Sequence, residues 1–341
     1  MEKDNQKKQY FYSMILVTGA TGLVGAHLCL ELLEKEIPIV ALFRRDKKKE
    51  ATRAFFSAKN KLNLFEQIEW RKADLCNLPE LTDAFKGITQ VYHCAAYISM
   101  AYHKQVYLQE VNQQGTAYIA NLCIENKVEK LAYVSSIAAL GSETTSAAID
   151  ETTPWNPTLE KTPYAYSKYG AELEVWRASQ EGVPVVIVNP GVILGAGMPR
   201  TPLDQLTKQV RKGMRFYPKG KTGYVAVEDV VDVLIRLMES DIKNERFILV
   251  AENWFFKDLI EFTALALGKK VPTLSLKPSL LYIAWFFETC LSVLKLRRKF
   301  LTRALIKSLS DTRNIDGSKI QKTLKFNYRP IADYLNKLLS T

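Results

Sequence analysis

Cysteine and histidine are scarce in this 341-residue chain, and neither is patterned. Its five cysteines (Cys29, Cys76, Cys94, Cys123, Cys290) are scattered, odd in number and contain no CxxC pair. That argues against a disulfide framework or a cysteine zinc site and fits a reducing cytoplasm. The three histidines form no HxxxH pair, so no metal is expected. There is no internal repeat and no low-complexity tract. No apolar run reaches the roughly 20 residues needed to span a bilayer. The start, Met1 to Gln9, lacks the apolar core of a signal peptide. Acidic residues are outnumbered, 36 Asp and Glu against 47 Lys and Arg, giving a formal charge of +11. The excess suits an anionic cofactor and a phosphorylated or carboxylated substrate. Nucleic acid is not an expected partner, because no recognised binding motif accompanies the charge.

What is present is a glycine turn in the right context. Met14-Ile15-Leu16-Val17 reads as a buried parallel strand, and an apolar pattern with helical spacing runs from Leu23 through Leu28, Leu32 and Leu33. Between them lies Thr18-Gly19-Ala20-Thr21-Gly22-Leu23-Val24-Gly25. Strand, glycine turn and helix in that order are what a dinucleotide site requires, the alternative being a tight turn with no ligand. Glycine lets backbone approach the pyrophosphate, whose charge sits at the helix N-terminus. A second strand, Pro38 to Phe43, ends beside the expected adenosine ribose. There an NAD-selective site carries an acid, whereas this chain has Arg44 and Arg45. A guanidinium fork suits a 2′-phosphate, so NADP is favoured over NAD. Asp46 is the candidate for a displaced acid.

The second signal is Tyr164-Ala165-Tyr166-Ser167-Lys168. Residues i and i+4 share a helix face, Pro163 fits a helix start, and Ala171 to Trp176 continue the helix. A free phenol has a pKa of about 10, and a nearby ammonium lowers it. Tyr217 and Lys221 have the same spacing, but Pro218 and Gly220 between them argue against a helix. Upstream, the strand Leu131 to Val134 runs into Ser135-Ser136, whose hydroxyls lie where a doubly wound sheet binds its ligands.

On these residues the chain resembles an extended short-chain dehydrogenase/reductase, of the NAD-dependent epimerase/dehydratase superfamily, along nearly its whole length. TGATGLVG matches the cofactor turn, with Gly19, Thr21, Gly22, Leu23, Val24 and Gly25 as contacts. Asp74-Leu75 matches the acid-Leu pair that meets adenine. His93-Cys94-Ala95-Ala96 matches the HxAA loop beside the cofactor. Asn112 matches the structural Asn of the NVxGT helix and is counted with the catalytic group. Ser136 matches the active-site Ser, with Ser135 as its alternative, and Tyr164 and Lys168 match the catalytic pair. Asn189-Pro190-Gly191-Val192 leads into the substrate domain, and Val227-Glu228-Asp229-Val230 matches a late VxDV signature. The resemblance implies that Tyr164 moves a proton, Lys168 also holds the nicotinamide ribose, and Ser136 fixes the substrate oxygen. Candidate substrate contacts are Ser99, Ser136, Tyr164, Asn189 and Tyr217. Tyr97, Tyr102, Trp155, Phe216, Tyr217 and Tyr224 are candidate aromatic lining. A homodimer is implied as well.

The expected fold is α/β, a Rossmann-type doubly wound parallel sheet with a smaller, mainly helical C-terminal substrate domain. Residues 13–190 form the cofactor domain, with 224–250 returning to it. Residues 191–223 and 251–341 form the smaller one. The leading activity is reduction or oxidation of a carbonyl/alcohol pair, as in the dihydroflavonol-reductase and hydroxysteroid-dehydrogenase branch. The alternatives are an NAD-dependent nucleotide-sugar epimerase and a non-catalytic dinucleotide-binding sensor or scaffold. Sugar dehydration is disfavoured, since Ile137-Ala138-Ala139 stands where family dehydratases carry Asp-Glu. The apolar run Leu280 to Leu294, followed by Lys295, Arg297, Arg298 and Lys299, reads as a buried or lid helix. Membrane-surface contact through 280–299 is the alternative.

Overall fold

The computed structural model describes residues 14–141, 148–293 and 301–340. The basic run 295–299 therefore lies outside the described residues. Twelve strands occur among those described: β1 (Met14–Thr18), β2 (Ile39–Phe43), β3 (Glu69–Lys72), β4 (Ile88–His93), β5 (Lys130–Val134), β6 (Val185–Pro190), β7 (Val192–Leu194), β8 (Phe216–Tyr217), β9 (Lys221–Ala226), β10 (Glu245–Leu249), β11 (Glu252–Phe255) and β12 (Leu274–Ser275). Seven of them form one sheet in the order β10-β6-β5-β4-β1-β2-β3. Every neighbouring pair in it is parallel. This is the doubly wound α/β architecture expected from the sequence, and its strand order reverses between β1 and β4.

The near-continuous apolar strands exist because both faces of the sheet are covered. Side chains alternate across it. Val17, Ala41, Ala132 and Val188 pack on one face with the Leu23–Glu34 and Val227–Glu239 helices. Leu16, Val40, Leu131 and Ile187 pack on the other with the Gly115–Glu125 and Pro163–Gln180 helices. Two smaller sheets complete the chain. β9 pairs parallel to β7 and antiparallel to β11, and β8 pairs parallel to β12. Ile320 and Phe326, expected in the smaller domain, pack in the same cluster as Val17. Residues 318–326 thus lean back on the main sheet, where Lys319 pairs with Glu245 of β10 at 2.8 Å.

The helix expected to be a buried or lid helix is not buried. Pro278–Val293 turns Leu280, Ile283, Phe286 and Phe287 to solvent. No described helix is long and apolar enough to cross a membrane.

Candidate active site

The glycine turn is tight for steric reasons. Gly19 has φ +70°, and a Cβ there would stand 2.6 Å from the Ala95 backbone nitrogen. A Cβ on Gly25 would stand 2.2 Å from the Gly19 carbonyl oxygen, so that glycine sets how closely the helix meets the turn. Gly22 caps the Leu23–Glu34 helix without a side-chain acceptor. Its first N–H groups therefore face outward, beside half-buried Thr21 and buried Val24. Thr18 ties this turn to the next loop: its hydroxyl accepts from Ala95 N–H at 3.2 Å and lies 2.6 Å from His93 Nδ1. These features fit a dinucleotide pyrophosphate.

At the end of β2, Arg44 is held rather than waving in solvent. Its Nη1 donates to Asp74 at 3.3 Å and to the Tyr107 hydroxyl at 3.0 Å. Arg45 is exposed at the N-cap of the Asp46–Ala58 helix. Asp46, the candidate displaced acid, pairs instead with Lys72 at 3.4 Å. Leu75 packs so closely on Gly115 that a Cβ there would lie 3.0 Å from the leucine Cβ.

The Tyr164 helix starts as the sequence implied. Thr162 accepts from Ala165 N–H at 3.2 Å, and Pro163 occupies the first turn. Tyr164 is buried and hydrogen-bonds the Ser136 side chain. Burial pushes its phenol up to about 12, against the lowering effect of that hydrogen bond. Ser136 also caps the short turn Ile137–Ala139, accepting from Ala138 N–H at 3.1 Å. Ser135 faces elsewhere and donates to Glu172 at 2.6 Å.

Lys168 departs from expectation. Its Nζ donates to the Tyr133 hydroxyl at 2.6 Å and to the Val134 carbonyl at 2.9 Å, and burial pushes it down to about 7. The lowered phenol expected from Tyr-x-x-x-Lys is therefore corrected. Both groups are desolvated, and desolvation favours the neutral form of each. Tyr133 links on to Thr116. Thr116 lies 3.0 Å from His93 Nε2. A buried polar chain thus runs from Lys168 to Thr18 and the glycine turn. Burial pushes His93 down to about 3. Cys94 next to it is pushed up to about 12, again by desolvation.

Asn112, grouped with the catalytic residues by sequence, is buried and hydrogen-bonded to protein partners. Its Oδ1 accepts from Tyr97 N–H at 2.7 Å, and its Nδ2 donates to the Tyr97 carbonyl and to Ser167, each at 2.9 Å. It projects from a π-helical turn, Gln109–Gln114, a local widening often found at functional sites. Both polar atoms of its side chain bond the Tyr97 backbone, in the loop that carries half-buried Ala95 and exposed Ala96.

At the end of β6, Asn189 donates to the Ser136 carbonyl at 3.0 Å and to Glu172 at 2.8 Å, while its Oδ1 is buried with no partner among the described residues. Pro190 is buried, and Gly191 lies so close to Gly223 that a Cβ would meet its carbonyl at 2.4 Å. Val192 is half-buried at the start of β7. Two proposed substrate contacts sit less centrally. Ser99 accepts from Ala101 N–H at 3.2 Å, and Tyr217 packs beside Val210 and Ile260, 5.9 Å from the Lys257 ammonium. Lys221 reaches Asn314 at 2.7 Å, so the second Tyr-x-x-x-Lys forms no pair. Trp155 stacks on Tyr169 at 4.1 Å and lines a cavity of about 340 Å³ that Tyr164 does not border.

Sequence reasoning missed Tyr133, which reads as core because it sits inside an apolar strand. It also missed Glu172, which bridges Ser135, Asn189 and Arg246. The signal for Glu172 was present: it continues the Tyr164, Lys168 spacing by one further helical turn.

A model of the NAD dependent epimerase/dehydratase family matches residues 15–250. The chain is 28% identical to sterol demethylase protein B of Methylococcus capsulatus, over 78% of each chain. It is 29% identical to a putative dihydroflavonol 4-reductase of Synechocystis, over 82% of this chain and 80% of that one. The crystal structure of gox2253 superposes with a TM-score of 0.80 at 28% identity, covering 96% and 97% of the two chains.

Proposed function

Because this chain is an enzyme of the NAD dependent epimerase/dehydratase family, within the extended short-chain dehydrogenase/reductases, we propose that it reduces a carbonyl to a secondary alcohol. Bound nicotinamide would supply the hydride. Tyr164 gives the proton to the substrate oxygen as that oxygen becomes an alkoxide. The observation that carries this reading is the buried Tyr164 hydroxyl, hydrogen-bonded to Ser136 at the end of β5. A protonated phenol is the acid that reduction requires. Ser136 holds the same oxygen, and Asn189 fixes the Ser136 backbone by donating to its carbonyl at 3.0 Å.

The glycine turn and the start of the Leu23 helix hold the pyrophosphate. Asp74 and Leu75 meet the adenine. Cys94, Ala95, Ala96, Pro190, Gly191 and Val192 border the nicotinamide half, and Lys168 orients its ribose. Arg44, fixed by Asp74 and Tyr107, and Arg45 take a 2′-phosphate, which supports NADP over NAD. The substrate, apolar or anionic, lies toward residues 191–223 and 251–341. The two relatives named as a sterol demethylase protein and a dihydroflavonol reductase support an apolar carbonyl.

The test is NADPH oxidation with a panel of apolar and anionic ketones and aldehydes. The expected result is one NADPH consumed per alcohol formed. Tightly held NAD with substrate isomerised and no net oxidation would replace this reading with epimerisation. Dinucleotide binding without turnover on any substrate would replace it with a sensor.

A further inference from the structure

We propose that the Pro278–Val293 helix docks the protein on the surface of a membrane containing anionic lipid. The helix is inside out. Leu280, Ile283, Phe287 and Leu291, spaced i, i+3, i+7 and i+11, form one stripe with Phe286 beside it. These side chains are exposed, Phe286 by 58% and Phe287 by 62%. Turned inward, beside half-buried Leu281 and Trp285, is the carboxylate of Glu288, which is 7% exposed and accepts from Leu301 N–H at 2.6 Å. A surface helix of a globular protein does the reverse, burying its apolar stripe and hydrating its charges. Leu274 and Phe216, paired across β12 and β8 just before the helix, are exposed as well. A row of exposed apolar side chains along one helix face marks an interaction site.

Length and charge identify the partner. Sixteen residues make a helix about 24 Å long, short of the roughly 30 Å hydrocarbon core, so it lies in the interface. An exposed aromatic, Tyr282, borders Phe286 on the helix surface, while half-buried Trp285 faces inward with Arg303 4.7 Å over its ring. From Lys269 to Lys307 the sequence holds nine basic residues and one acid, Glu288, which faces inward. Of the nine, Lys269, Lys270, Lys277, Arg303 and Lys307 are described and exposed. An exposed apolar stripe within so basic a stretch of sequence complements anionic headgroups over an acyl layer. A second copy of the chain would set the same cations against each other. The inference stands apart from the identity of the reaction.

The test is co-sedimentation of the full-length protein with vesicles of phosphatidylcholine alone and of equal parts phosphatidylcholine and phosphatidylglycerol. Binding is expected to the anionic vesicles and to weaken as salt rises. Phe286→Ser and Phe287→Ser, at exposed positions, should each weaken the partition by about tenfold, with dinucleotide binding retained. No pelleting with anionic vesicles at low salt would overturn the proposal, as would wild-type pelleting of the double variant. Self-association that the double variant abolishes, without vesicle binding, would assign the face to a second copy instead.

Discussion

Lys168 and Tyr133 are joined by a 2.6 Å hydrogen bond between the Pro163–Gln180 helix and β5. The ammonium donates and the phenol oxygen accepts, so the contact favours the charged lysine that burial otherwise disfavours. Tyr133→Phe removes the acceptor and should lower the Lys168 pKa further. If turnover needs the ammonium, the alkaline limb of the kcat profile moves to lower pH. A profile of unchanged shape would show that Tyr133 is only packing.

Arg44 offers a charge whose position is fixed by Asp74 and Tyr107. A charge-assisted hydrogen bond is worth about 1.5–3 kcal/mol. Arg44→Ala should therefore cut the preference for NADPH over NADH in kcat/KM by about tenfold to a hundredfold. An unchanged ratio would move the discrimination to another residue.

Glu172 is a buried carboxylate serving three donors: Ser135, Asn189 and Arg246. Glu172→Ala leaves Arg246 without its carboxylate and should cost about 3 kcal/mol of unfolding free energy. Denaturant titration measures this, and a loss below about 1 kcal/mol would show that the bridge is weakly coupled to the fold.

His93, pushed down to about 3 by burial, stays neutral in the fold. The unfolded chain takes up its proton near pH 6.5. Below that pH the unfolded state binds more protons, so stability falls as pH falls from about 6.5 toward 3. His93→Asn should flatten that part of the stability profile relative to wild type. Parallel profiles for the two proteins would contradict the assignment.

Much of this was legible in the chain because backbone constraints leave strong marks. The apolar run Met14–Val17, the glycines at 19, 22 and 25, and Pro163 before Tyr164 each point to an element by steric necessity, and each element is there. Contacts between elements were not legible. The i, i+4 spacing put Tyr164 and Lys168 on one face but could not reveal that Tyr133, 35 residues earlier, would take the lysine. Nor could it show burial raising the phenol rather than an ammonium lowering it. The apolar run near residue 280 misled because hydrophobicity reports what a side chain avoids, not what covers it.

The most direct test of the account is Tyr164→Phe, which keeps the ring and removes the proton. Dinucleotide affinity, read by titration, should match wild type, while turnover with the best carbonyl substrate falls by about 10²- to 10⁴-fold. A phenylalanine variant that turns over at the wild-type rate would contradict the account at its centre.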